Sequence, residues 1–333
     1  MKNVNRFLDQ LLEQVSRSFA KAIPIIDQNK RTIVSTMYLL CRTLDTIEDS
    51  KLRDTQKQEL CKRFVYNLSS GCLLTEKNIT ETVTPTIIDE HDKIIFKDNN
   101  LSKLNYIFQS FDQDTKKISL ESINKMQEGM IKFLSRKKNY NNVNYYCETF
   151  LDLDNYCYSV AGTVGEFLTD LVRIKDHIRL DREKALIFGR YLQKVNIIKD
   201  FSKDFSEGRC YWPFYFDLKN KIVEKNKPEN NINSLCLEQM ICSALNEFIP
   251  TFEYLLSIPN KIKGYRAFCR MSALMATETL KKLKNNTDVF DPKKEIKILK
   301  KQFINIYWTS RLHLYSLKEI EKYAEKNYAI LIA

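Results

Sequence analysis

Apolar residues recur along most of the chain at three- and four-residue spacing, the mark of amphipathic helices rather than of strands, whose period is two. The pattern predicts helices at about residues 5–22 and 30–50. A stretch at 73–103, rich in Thr, Asp, Asn and Lys, reads as a loop, and helices return at about 119–136, 143–173 and 182–207. A turn at GRCYWP (208–213) and a hydrophilic connection at NKPENN (226–231) follow, and then helices at about 233–257, 261–284 and 296–326. No internal repeat and no convincing linker interrupts the series, so the 333 residues are expected to form one all-α domain with a substantial core.

Composition narrows this picture. Seven glycines and seven prolines leave long helices few points at which to break. The net charge of +11, from 53 Lys and Arg against 42 Asp and Glu, would suit a polyanionic partner, yet no basic block with interleaved aromatics reads as a nucleic-acid groove. Nine cysteines occur without a CxxC pair or a paired histidine, which argues against a disulfide framework or a zinc site and for a reducing compartment. The N-terminus has no apolar core of the signal-peptide kind, and no stretch approaches the roughly 20 apolar residues needed to span a bilayer. A cytoplasmic, monomeric protein without a transmembrane anchor is expected, with contact to a membrane at most peripheral.

Two polar stripes stand out against this background. In MYLLCRTLDTIED, Tyr38, Arg42, Asp45 and Asp49 follow one another at four, three and four residues, so they share one helix face with Glu48 beside it. Their flanks, Leu39, Leu40, Leu44 and Ile47, are apolar. A solvated helix face is usually bordered by further polar residues, whereas this one suggests a lined cavity. In LQKVNIIKDFSKD, Gln193, Asn196, Asp200 and Asp204 follow one another at three, four and four residues, again on one face, among Val195, Ile197 and Ile198. Carboxylates four residues apart on a helix lie roughly 6 Å from each other, wide for one bidentate ion but suited to ions shared with a ligand's oxygens. Two such helices facing one another would pose a charge problem that cations offset. All-oxygen donors with no nearby His or Cys point to Mg²⁺ bridging carboxylates to a diphosphate. Between the stripes, YCYSVAGTVGEFL sets Tyr156, Val160, Val164 and Leu168 on one face. Gly162 and Gly165 in a helix interior imply a close approach, by another helix or by a long apolar ligand chain.

In SRSF (16–19), YLLCRTLDTIED (38–49), YCYSVAGTVG (156–165) and LQKVNIIKDFSKDFSEGRCYWP (192–213), the chain resembles the squalene/phytoene synthase family, and the resemblance runs from about residue 7 to about 320. KPEN (227–230), AFCRMSALMATETL (267–280) and NNTDVFDPKKEIKILKKQ (285–302) are similar to the squalene synthase branch in particular. The resemblance implies a single-domain isoprenoid-synthase helical bundle around a central cavity. It also implies a prenyltransferase that joins two farnesyl diphosphates head to head into presqualene diphosphate and reduces this with NADPH to squalene, for sterol or hopanoid synthesis.

Carried over by motif, the resemblance makes Asp45, Asp49, Asp200 and Asp204 the holders of Mg²⁺ and diphosphate, with Glu48 as a further ligand or a mere neighbour. It implies phosphate contacts from Ser16, Arg17, Ser18, Arg42, Gln193 and Asn196, with Lys199 beside them where such enzymes commonly carry arginine. Lysine there keeps the charge but not the bidentate fork. Phe19 and Phe268 would line the hydrocarbon region, and Lys294, Lys297 and Lys300 would meet the phosphates of NADPH. Aromatic faces can stabilise an allylic cation by about 2 kcal/mol when desolvated, a role open to Tyr38, Tyr156, Phe19 and Phe268. Either Tyr156, assisted by Arg42, or the released diphosphate takes the proton of the first half-reaction. Ser272 and Ala273 replace a common Pro-Gln, and the lysine segment is about two residues longer than usual. A dehydrosqualene- or phytoene-type synthase without reduction is the close alternative, and a non-catalytic assembly protein of the same fold a more distant one.

Overall fold

A computed structural model of the chain describes residues 2–16, 18–71, 76–216, 229–312 and 316–332. The helices in chain order are α1 (Lys2–Val15), α2 (Phe19–Ala22), α3 (Gln28–Asp49), α4 (Asp54–Ser70), α5 (Glu76–Val83), α6 (Asn100–Gln109) and α7 (Gln113–Arg136). After the strands β1 (Lys138–Tyr140) and β2 (Val143–Tyr145) come α8 (Phe150–Cys157), α9 (Thr163–Asp176), α10 (Arg182–Lys199), α11 (Phe201–Ser206) and the two-residue β3 (Arg209–Cys210). The series closes with α12 (Glu229–Leu245), α13 (Phe248–Ser257), α14 (Lys263–Leu283), α15 (Lys300–Arg311) and α16 (Leu317–Ile332). The expected all-α class holds, with one small sheet added.

The residues group into two compact units, each assembled from three stretches of chain, so no single linker separates them. The first comprises Met1–Ser135, Glu166–Leu180 and Lys261–Phe268. Its centre is α3, which packs against α1, α4 and α6. Leu39, Leu40, Leu44 and Ile47 are all but fully buried, as the apolar flanks of the first stripe required. Lys30, buried in the first turns of α3, is held 2.6 Å from the Asp176 carboxylate, since a buried ammonium needs a counter-charge. Just before α3, Asp27 accepts hydrogen bonds from the backbone N–H groups of Gly264 and Tyr265, both 3.0 Å, and so satisfies the free donors at the start of α14.

The second unit comprises Arg136–Gly165, Asp181–Asn260 and Cys269–Ala333. Here the expected helix at 143–173 gives way at its start to a hairpin: β1 and β2 pair antiparallel across Asn141 and Asn142, both at positive φ, and β3 joins β2 in parallel. Asparagine tolerates the left-handed region better than most residues, which suits a two-residue turn. From α8 the chain runs through one π-helical turn, Tyr158–Gly162, into α9. The glycines explain themselves at this point. A Cβ on Gly165 would lie 2.1 Å from the carbonyl oxygen of Ala185, and one on Gly189 would lie 2.3 Å from that of Ala161. Close helix packing against α10, rather than an apolar ligand chain, accounts for Gly165.

Other boundaries also shift. The expected helix over 5–22 breaks between Val15 and Phe19, and that over 182–207 breaks at Asp200, whose backbone (φ −95°, ψ 10°) leaves helical geometry. The 73–103 stretch carries α5 and two short 3-10 turns, and α4 lies in a region for which no helix was expected. Residues 226–228 of NKPENN fall outside the described residues, and 229–231, expected as part of a connection, open α12.

Candidate functional site

Along its C-terminal half α3 is buried except for one line of partly exposed side chains: Tyr38, Cys41, Arg42, Asp45 and Asp49. Thus the stripe inferred from spacing is a polar seam in an otherwise sunken helix. Burial pushes the Asp45 carboxyl up to about 7; Arg42 opposes the shift, and Asp49 and Asp92 add to it. Tyr38 is likewise raised by burial, against the hydrogen bond it shares with Ser16. Ser16 also accepts from the backbone N–H of Phe19 at 3.1 Å. The Phe19 ring lies 5.1 Å from that of Tyr38 and 6.4 Å from that of Phe268. Ser16, Phe19, Tyr38 and Phe268 therefore form one aromatic patch beside the acidic seam. Ser18 precedes α2, and Arg17 lies outside the described residues.

One residue of this region escaped sequence analysis. Asp92 accepts two hydrogen bonds from Arg42, Nε to Oδ1 at 2.9 Å and Nη2 to Oδ2 at 2.8 Å. Its side chain is nearly buried, and burial raises its carboxyl despite the guanidinium. The fork fixes the plane of Arg42 and leaves Nη1 for another acceptor. Glu48 is buried toward α4, where Lys57 donates to its backbone carbonyl at 2.6 Å and Cys61 feels its charge. It is therefore set deeper than Asp45 and Asp49.

In the second unit, the second stripe ends at the α10–α11 junction. Gln193, Lys199, Asp200 and Asp204 are partly exposed and Asn196 is exposed, whereas Val195, Ile197 and Ile198 are buried. Cations from nearby in the chain serve these carboxylates: Lys199 Nζ lies 3.2 Å from Asp200, and Arg209 Nη2 lies 2.8 Å from Asp204 and 2.6 Å from Glu207. Arg209, in the GRCYWP turn, is a second residue that sequence analysis missed. Tyr156 is buried on α8 and stacks on Tyr211 at 4.7 Å, which in turn stacks on Tyr146 at 4.8 Å. Val160 and Val164 are partly exposed and Leu168 is buried. Of the three lysines expected to meet NADPH, Lys294 is paired with Asp288 at 2.6 Å, Lys297 is paired with Glu295, and Lys300 opens α15.

A cavity of ≈ 460 Å³ in the second unit includes none of these residues. Arg190 and Lys194 meet Asp154 and Glu247 there, and the four charges cancel.

Among the described residues no three His, Cys, Asp or Glu side chains converge into a closed metal site. Magnesium does not demand one, because it keeps several waters and is commonly held by one or two carboxylates together with substrate phosphates. The donor chemistry fits that ion: Asp45, crowded by Asp49 and Asp92, is a carboxyl whose charge a divalent cation would relieve.

The profile of the squalene/phytoene synthase family matches residues 12–302, and the chain belongs to that family. It is 28% identical over 310 residues to the squalene synthase of Cyberlindnera jadinii, covering 91% of this chain and 66% of that protein. The chain thus spans just under two thirds of that relative's length. A solved complex of TcSQS with the ligand E5700 superposes with a TM-score of 0.78 at 25% identity, covering 98% of both chains. A dehydrosqualene synthase complex shares the fold, with a TM-score of 0.63 at 20% identity over 94% of this chain and 97% of that one.

Proposed function

We propose that this chain is a squalene synthase: a monomeric prenyltransferase that condenses two farnesyl diphosphates to presqualene diphosphate and reduces it with NADPH to squalene. The observation that carries this reading is the acidic seam of α3, where Asp45 is pushed up to about 7 beside Asp49 while Asp92 clamps Arg42. Such a seam gains a cation and a diphosphate more readily than it gains a second bare carboxylate charge. Asp45 and Asp49 would hold Mg²⁺ for one diphosphate, and Asp200 and Asp204 for another. The ion would supply neutralisation of the leaving group. Arg42 would donate to phosphate oxygen through Nη1, and Ser16 would orient the Tyr38 phenol. Phe19, Tyr38 and Phe268 would face developing positive charge with their rings and keep water out.

One observation favours a second reading, a synthase that stops at the unreduced product. Lys294 and Lys297 already have carboxylate partners in their own segment. Incubation with farnesyl diphosphate and Mg²⁺, with and without NADPH, separates the two by product. Squalene formed only with NADPH supports the first reading. A conjugated triene at saturating NADPH supports the second, and the absence of any condensation product removes both.

A further inference from the structure

From Ile296 to Lys318 the sequence carries five cations, Lys297, Lys300, Lys301, Arg311 and Lys318, and no carboxylate. This run without a carboxylate spans the whole of α15. The inner side of α15 is fixed: Ile306 and Ser310 are buried, and the buried Arg270 donates to the carbonyls of Thr309 and Ser310 at 2.9 and 2.8 Å. Its outer side is unusual. Ile304, Trp308 and Leu312 stand at i, i+4 and i+8 on one face, and all three are exposed, Trp308 by 50%. Lys300, Lys301 and Arg311 flank them in solvent, and Leu299, just before the helix, and Leu317, the first residue of α16, are exposed as well.

Scattered exposed apolar residues mean little, but an ordered row containing tryptophan, on a helix whose charged residues are all cations, has the composition of a helix that lies in a lipid interface. Tryptophan favours the headgroup level, and each nearby cation adds about 1 kcal/mol of attraction to an anionic leaflet. We propose that the α15 face is a docking surface for an anionic lipid bilayer, with Trp308 and Leu312 entering the interface and Lys301 and Arg311 meeting lipid phosphates. With three cations and no carboxylate, α15 itself selects this occupant over a second copy of the chain, since two such helices would bring like charges together. Among the described residues no helix is long and apolar enough to cross a membrane, so the contact is one of surface binding.

The two tryptophans make the test direct, because Trp212 is 1% exposed and only Trp308 can report on solvent. The intact protein is titrated with phosphatidylcholine vesicles, with and without phosphatidylglycerol, and followed by co-sedimentation and tryptophan emission. Binding to the anionic vesicles only, weakened by high salt and accompanied by a blue shift absent from Trp308→Phe, is expected. The double variant Trp308→Ser with Leu312→Ser should lose at least about tenfold in vesicle affinity, with its circular dichroism unchanged. Three results would overturn the proposal: no co-sedimentation, equal affinity of the double variant, or sedimentation velocity showing a dimer that the double variant abolishes. None of these measurements requires turnover, so they stand apart from the assay of the proposed reaction.

Discussion

The two aspartate stripes look alike in sequence and differ in structure. On α3 the pair sits within a continuous helix whose other sides are buried, and its cation, Arg42, is fixed by Asp92 from fifty residues away. At the α10–α11 junction the helix itself breaks at Asp200, and the carboxylates find cations from their own neighbourhood, Lys199 and Arg209. In the first pair Asp45 carries the cost of burial, whereas Asp200 and Asp204 each have a cation from the adjoining chain close by. An identical spacing of acids fixes which side chains share a face, but burial and the source of the counter-charge decide how strongly they call for a metal.

The comparison is broken most severely by removing one acid from each stripe. Asp45→Ala and Asp200→Ala should each lower turnover of farnesyl diphosphate by at least about a hundredfold, the scale for deleting a group that stabilises developing charge, with helical circular dichroism retained. Near-normal activity in either variant would remove that stripe from the proposed reaction. Next comes Asp92→Asn, which keeps the shape but releases the charge that orients Arg42. A fall in kcat/KM of about 10- to 100-fold is expected, as for other groups that orient a ligand-binding side chain. Unchanged steady-state kinetics would show that Arg42 needs no such anchor.

A smaller effect distinguishes the second stripe. Arg209 competes with any cation for Asp204, so Arg209→Gln should lower the Mg²⁺ concentration for half-maximal activity by about fivefold, equivalent to ~1 kcal/mol for a partly exposed pair. A higher Mg²⁺ requirement would mean that Arg209 orients Asp204 rather than competing for it.

These differences mark how far the sequence could be read. Helical spacing was enough to place Tyr38, Arg42, Asp45 and Asp49 on one face, because that relation is local. Asp92 was out of reach, since it meets Arg42 only through the tertiary fold and lies in a stretch whose composition reads as a loop. Arg209 was within reach, five residues beyond Asp204 in a turn that returns the chain. The helix break at Asp200 has no glycine or proline to announce it. The hairpin at 138–145 had a signal, Asn141 and Asn142 between short alternating runs, but strands of three residues are too brief for periodicity to register. Gly165 carried two readings until Ala185 appeared against it, because the partner of a close contact is not written beside it in the chain.

The remaining effect concerns stability and its dependence on pH rather than turnover. A carboxyl held at about 7 when folded, against an ordinary value of 3.8, binds more protons in the folded than in the unfolded protein between those two values. Stability from this group is therefore complete below the lower value and is lost as pH rises through the upper one. In the metal-free protein the melting temperature should fall between about pH 4 and about pH 7 by more than in Asp45→Asn, whose neutral side chain has no charge to bury. Added Mg²⁺ binds the charged form, so it should raise the wild-type melting temperature more at about pH 8 than at about pH 5. Asp45→Asn should also melt higher than wild type at the upper pH while losing activity, the pattern of an acid kept for function at a cost in stability. Parallel melting curves for the two proteins across this range would show that Asp45 is not the carboxyl that the seam of α3 holds uncharged.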